Sequence, residues 1–266
     1  NNNNTNNNTN TNTNTNTTNT TSPSLSAGPL PPPPTAPPKV NFSLRRQILQ
    51  PPTALPLYLC AVSGYCYGIG VVYAGTADDR AKTVILHYLR LLQSFRDNKH
   101  TLTADKGARN TIEMCTALVS LSLACVMAGT GDLPTLRIIR ELRWRVDDVT
   151  YGTHMALSMA LGLLFLGGGN FSLRRDPLSA ACLLLSIIPR YPSRTVDHQY
   201  HLQPLRHLYV LAAEPRALHT IDVDTGRPVG VDVSVELMDG TRVQVKAPGL
   251  LPELSLVRAI SVPDEG

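Results

Sequence analysis

From Val84 to Leu92 the apolar residues Val84, Ile85, Tyr88, Leu89 and Leu92 recur at i, i+1, i+4, i+5 and i+8, the spacing of one helix face. Leu133, Leu136, Ile139 and Leu142 repeat every third position, with arginines between them, and predict a second amphipathic helix. Each amphipathic stretch follows an apolar one rich in small side chains that closes on an Asp: SGYCYGIGVVYAGTAD (63–78) and CTALVSLSLACVMAGTGD (115–132). A third such stretch ends in GLLFLGGGN (162–170) and precedes SAACLLLSII (179–188), which is apolar all round and is expected to be buried on both sides.

These stretches align on one another. With Gly75 placed on Gly129 and Gly167, Cys66 meets Ser120 and Ser158, Gly68 meets Ser122 and Ala160, and Gly70 meets Ala124 and Gly162. The polar stretch from Ser94 to Asn110 reads as a loop inserted in the first copy. Each copy ends on Gly-x-(Gly/Ala)-(Asp/Asn): Gly75 and Asp78, then Gly129, Gly131 and Asp132, then Gly167, Gly169 and Asn170. Glycine at a helix end takes the left-handed conformation that closes the helix. Asp78, Asp132 and Asn170 are then expected to cap the next helix. The prediction is three helix–turn–helix units with small side chains on the inner helices, Gly162 among them, stacked as a curved α-solenoid.

The period changes after Leu218. Val229, Val231, Val233, Val235 and Leu237 alternate with other residues, Asp239-Gly240 marks a tight turn, and Val243 and Val245 alternate again. This predicts an antiparallel hairpin with one wet face. HTIDVD (219–224) reads as an earlier strand before a turn at Thr225–Pro228, and Leu254–Val262 as a later one. The fold class expected is mainly α: 40–216 helical repeats, and 217–266 a partial antiparallel β domain. Residues 1–39 begin with Asn and Thr alone, continue rich in Pro, and are expected to be a disordered tail. Its NxT triplets fit a glycosylation pattern, but no basic start or apolar leader accompanies them.

Other chemistries fit poorly. Tyr67–Gly75 holds Gly68 and Gly70, but Tyr73 stands where GxGxxG needs its third glycine, and no Gly-Lys-Ser/Thr follows. Gln47–Ala77 and Met155–Gly169 are uncharged, which raises a membrane reading. Prolines 51, 52 and 56 start the first helix late, however, and the other runs are short of the ~20 residues needed to span. His198 and His201 near Asp197 could suggest a metal site, but Pro204 would start the helix after them. Arg137, Arg140 and Arg143 share a face interrupted by Glu141 and read as a solvated surface, not a nucleic-acid patch. Net charge is only +4. The five cysteines, Cys60, Cys66, Cys115, Cys125 and Cys182, lie in apolar stretches without a CxxC pair and read as buried hydrophobes in a reducing compartment.

The repeat with its LGLLFLGGGN turn resembles the proteasome/cyclosome repeat family, the large scaffold subunits of the proteasome base and of the anaphase-promoting complex. HQYHLQPLRHLYVLAAEPR (198–216), IDVDTGRPV (221–229) and APGLLPEL (247–254) resemble the C-terminal part of the cyclosome branch. The resemblance covers about Leu44–Val262. It implies a non-catalytic scaffold in a cell-cycle ubiquitin ligase of the nucleus and cytoplasm, with no cofactor. The implied partners are the complex's cullin–RING arm, TPR subunits and substrate-recognition module, with no nucleic acid and no membrane. In that family the repeats close a ring. Three repeats cannot, and the family's subunit is several times longer. The proteasome scaffold and a small-residue-rich membrane protein are the alternatives.

Overall fold

The computed structural model describes residues 54–97, 106–145, 150–187, 191–192, 196 and 200–262. The tail, Asp197, His198 and the end of the chain lie outside them. Helix α1 (Ala54–Val72) turns into α2 (Asp79–Asp97), α3 (Lys106–Val126) into α4 (Leu133–Trp144), and α5 (Tyr151–Leu164) into a 3-10 turn, Leu166–Gly169. Helix α1 already contains Pro56, so it starts earlier than expected; proline fits a first helical turn, where its missing N–H has no partner to lose. The predicted insert is shorter than its polar stretch: α2 runs to Asp97 and α3 begins at Lys106.

Helix α3 packs between α1 and α5, α2 lies on α3 and α1, and α4 on α5 and α3. The largest fully buried side chains, among them Leu59, Leu89, Leu121, Leu123, Leu142 and Leu163, form one core through these five helices. At Gly70 the α1 and α3 backbones nearly touch: a Cβ there would sit 2.8 Å from the Ser122 Cα. Gly162 does not share this role. It is exposed, and a Cβ there meets nothing within 4 Å among the described residues. By length and composition α1 and the span Tyr151–Gly169 could each cross a membrane; in the array each buries one face against α3.

The third unit departs from the first two. After the 3-10 turn comes a short strand, β1 (Phe171–Leu173), and only then α6 (Pro177–Ile187). Helix α6 packs on a second 3-10 helix, Gln203–Ala212, and touches α1, where the Tyr67 hydroxyl donates to the Leu184 carbonyl at 3.3 Å. It is not buried all round: Leu178 and Leu185 are exposed, while Ser179, Cys182, Leu183 and Ser186 are buried.

Strand β1 pairs antiparallel with β2 (Ala213–Pro215). Strand β3 (Ala217–Leu218) pairs with β6 (Gly249–Leu250). The predicted hairpin is β4 (Asp232–Leu237) and β5 (Arg242–Lys246), with Val233 opposite Val245 and Val235 opposite Val243. Gly240 has φ +82 in the turn, and Asp239 accepts from the Thr241 N–H at 2.9 Å. Strand β7 (Val257–Ser261) joins the other side of β4, giving the order β5-β4-β7. HTIDVD is not a strand. Its Asp222 carboxylate accepts from the Asp224 N–H and the Thr225 hydroxyl, which bends the chain into a turn and leaves one isolated bridge, Ile221 to Pro228.

Cys66, Cys115, Cys125 and Cys182 are buried, whereas Cys60 is exposed. Burial pushes the Cys66 and Cys125 thiols up to about 12, so they stay protonated and inert at neutral pH.

Candidate functional site: the glycine corners

The first two corners share one conformation. Gly75 and Ala77 have φ +66 and +55, and Gly129 and Gly131 have φ +80 and +62. In each, a threonine closes the turn. The Thr76 hydroxyl donates to the Tyr73 carbonyl and that of Thr130 to Met127, both at 2.8 Å, and each accepts from the N–H of the following Asp78 or Asp132. Asp78 caps α2 by accepting from the Ala81 N–H at 2.7 Å. Asp132 caps α4 by accepting from the Thr135 N–H at 3.0 Å.

Each corner also closes the next inner helix. The Gly75 and Ala77 N–H groups donate to the carbonyls of Cys125 and Val126 at the end of α3. Gly129 and Gly131 donate to Leu163 and Leu164 at the end of α5. Helix-terminal carbonyls left without partners inside one helix are thus satisfied by its neighbour's turn. Lys82 of α2 reaches Asp132 at 3.3 Å and ties the first unit to the second corner. Burial alone would raise the Asp132 carboxyl; hydrogen bonds from Thr135 and the Lys82 ammonium bring it below its usual value.

The third corner differs. Gly167, Gly168 and Gly169 all have positive φ, at +58, +69 and +86. Asn170 closes the 3-10 turn and does not cap the next helix, contrary to expectation. Its side chain donates back to the Gly167 carbonyl at 3.2 Å, and its own carbonyl accepts from the N–H groups of Arg216 and Ala217. The cap of α6 is Asp176, which accepts from the Leu178 and Ser179 N–H groups at 3.1 Å.

Strand β1 crosses the other two corners. A Cβ on Gly129 would collide with the Phe171 carbonyl oxygen, and one on Gly75 with Leu173, including its N at 2.7 Å. Glycine is required at both positions for φ and for this close approach. The buried Ser172 hydroxyl lies 3.0 Å from the Ala128 carbonyl and 3.2 Å from that of Gly75, bridging the corners. Arg216, just past β2, is 2% exposed. It donates to the Gly75 carbonyl at 2.9 Å, to the Leu173 carbonyl, and to Glu214 at 2.8 Å. A second ion pair, Arg175–Glu253 at 3.0 Å, fastens the C-terminal segment to the same place.

Sequence reasoning missed Thr76, Thr130, Ser172, Asp176 and Arg216. The shared Ala-Gly-Thr of residues 74–76 and 128–130 was a signal for the threonines. Chemically, the corners are joints. Four of their N–H groups are committed to helix carbonyls and present no anion cradle. No group of three or more His, Cys, Asp or Glu that could hold a metal occurs among the described residues. A pocket of about 390 Å³ in the β portion, lined by His219, Ile221, Val229 and Pro248 among others, has His219 as the one titratable residue on its wall.

A family model described as the fifth domain of APC1 matches residues 43–214, which includes all three corners and β1. The chain belongs to the anaphase-promoting complex subunit 1 family. It is 41% identical over 207 residues to anaphase-promoting complex subunit 1 of Homo sapiens, covering 76% of this chain and 10% of that protein. It is 39% identical over 221 residues to the Dictyostelium discoideum subunit of that name, covering 77% and 10%. It is 41% identical over 203 residues to a protein of Emericella nidulans named negative regulator of mitosis, covering 76% and 10%. The chain therefore spans about a tenth of the length of these relatives.

Proposed function

We propose that the chain is a non-catalytic scaffold segment of the anaphase-promoting complex, built as stacked helix–turn–helix repeats. The observation that carries this reading is the pairing of each corner with the next inner helix, Gly75 and Ala77 on α3, then Gly129 and Gly131 on α5. That arrangement propagates from unit to unit and transmits position, as a solenoid does. Family membership supports the complex, and the names of the relatives favour the cyclosome branch over the proteasome base.

On this reading the partners are other subunits of the complex: the cullin–RING arm, the TPR subunits and the substrate-recognition module. The setting is the nucleus and cytoplasm of dividing cells. The repeats hold those subunits in register, and the β1–β2 ribbon with Arg216 keeps the corners from sliding.

The test is mass spectrometry of what co-purifies with a tagged full chain from its own cells, in buffer without detergent. Recovery of cullin, RING and TPR subunits is expected. Recovery of proteasome base subunits, or of chaperones alone, would overturn the reading.

A further inference from the structure

The outer helices α2 and α4 each bury one stripe and expose the other. On α2, Val84, Ile85 and Leu89 are buried, while Thr83, His87 and Arg90 face solvent. On α4, Ile138, Ile139 and Leu142 are buried, while Leu133, Arg137, Arg140 and Trp144 face solvent at the spacing of one helix face. The two helices are bridged near both ends, Lys82 to Asp132 at 3.3 Å and Asp97 to Arg145 at 3.0 Å. They therefore run side by side in the same direction, and their exposed stripes form one surface, with His87 and Arg90 beside Arg137 and Arg140. This surface points away from the inner helices, across the direction in which the repeats stack, so a further repeat at either end would leave it open. Its charge is one-sided. Glu141 interrupts the arginines in sequence, but it and Asp97 are both held by Arg145, at 3.3 and 3.0 Å. Arg90, Arg137, Arg140 and Arg143 have no carboxylate partner among the described residues. Trp144, the one tryptophan of the chain, is 74% exposed at the end of the stripe, and Leu133 is 61% exposed at its start.

We propose that this face docks an acidic segment of a partner protein, with its carboxylates on Arg90, Arg137 and Arg140 and an apolar side chain against Trp144. Charge complementarity selects the occupant. A guanidinium presents a planar fork that matches a carboxylate with two parallel hydrogen bonds, and here several forks stand unpaired within two helix turns. Arginine and tryptophan are also the side chains that most often carry binding energy at protein interfaces. Nucleic acid fits less well: a continuous phosphate backbone laid along the face would meet Glu141 and Asp97, whereas separate carboxylates reach single arginines. The inference rests on the scaffold reading and deepens it, by giving one face of the array a partner of stated charge.

Because Trp144 is the only tryptophan, its emission reports binding at the face directly. The full chain is titrated with a synthetic peptide in which paired glutamates alternate with leucines and which contains no tryptophan. The emission should move to shorter wavelength and saturate, and the midpoint should rise with added salt. Arg137→Glu combined with Arg140→Glu should weaken binding by about tenfold or more. Thermal melting should not change, because both side chains are exposed. Arg90→Glu should weaken binding as well, since the face spans both helices, whereas Arg227→Glu in the β portion should leave it unchanged. Arg137→Gln with Arg140→Gln removes the charge without reversing it and carries the test if the reversed variant does not fold. No shift in the wild type, a shift that survives the double substitution, or tighter binding of a single-stranded oligonucleotide than of the peptide would overturn the docking face. A chain that ignores the peptide yet still co-purifies with subunits of the complex would do so while leaving the scaffold reading standing.

Discussion

The Arg216 guanidinium donates to the carbonyl oxygen of Gly75 at 2.9 Å, across 141 residues of sequence. The same side chain holds Leu173 and Glu214, so one buried cation joins the first corner, β1 and β2. Arg216→Met removes the charge and takes the guanidinium donor away from Glu214 and from the Gly75 and Leu173 carbonyls, leaving Glu214 only the Leu254 N–H at 3.3 Å and Gly75 only the Ser172 hydroxyl among the described residues. Breaking one side of a buried pair costs about 3–5 kcal/mol, and chemical denaturation should show a loss of that size. Arg216→Lys should recover only part of it, because an ammonium cannot reproduce the planar fork. A change within about 0.5 kcal/mol for Arg216→Met would mean the ribbon does not hold the corners.

Gly129 and Gly168 separate two demands on a corner glycine. Both have positive φ, at +80 and +69, but only Gly129 lies under a strand. Gly168→Ala should cost about 1–2 kcal/mol, the left-handed penalty alone. Gly129→Ala should cost clearly more, because its Cβ meets the Phe171 carbonyl and must lift β1. Equal melting temperatures for the two variants would show that β1 yields without resistance.

The corners were legible because their needs are local: a glycine ends a helix and an Asp begins one, a few residues apart. Where the signal depended on distant partners, reading failed. Phe171–Leu173 is too short to announce a strand, and its partner β2 lies far along the chain. Asn170 resembles Asp132 as a capping residue, but its carbonyl is committed to Arg216 and Ala217, so the helix start passes to Asp176 before Pro177. The alternation in HTIDVD could not show that Asp222 would turn inward on its own loop. Apolarity all round α6 could not show that Leu178 and Leu185 face outward.

Asp132 gives a pH signature. Its carboxyl is held below its usual value once burial is outweighed by the Thr135 hydrogen bonds and the Lys82 ammonium. A depressed carboxylate adds stability that is fully present above the ordinary value of about 3.9 and is lost as pH falls through the lower folded value. Asp132→Asn keeps a capping oxygen but removes the charge. The variant should be less stable than wild type by about 0.5–1 kcal/mol near neutral pH. The gap should shrink below about pH 4 and close in stronger acid. A gap that is constant with pH would remove the charge from the account.

Gly70 and Gly162 occupy equivalent places in the repeat but different surroundings. A Cβ on Gly70 would come within 2.8 Å of both the Ser122 Cα and Cβ, so α1 and α3 must separate to admit it. Overpacking of this kind costs about 1–3 kcal/mol. Gly162 lies within α5 with no described residue near its side, so alanine there should add stability of about 0.5–1 kcal/mol through lower backbone entropy in the unfolded chain. The two identical substitutions should therefore move thermal melting in opposite directions. A loss at Gly162 would mean that this face is already packed in the isolated chain. A gain at Gly70 would mean that α1 and α3 are held apart by other contacts and that the close approach is not what fixes their distance.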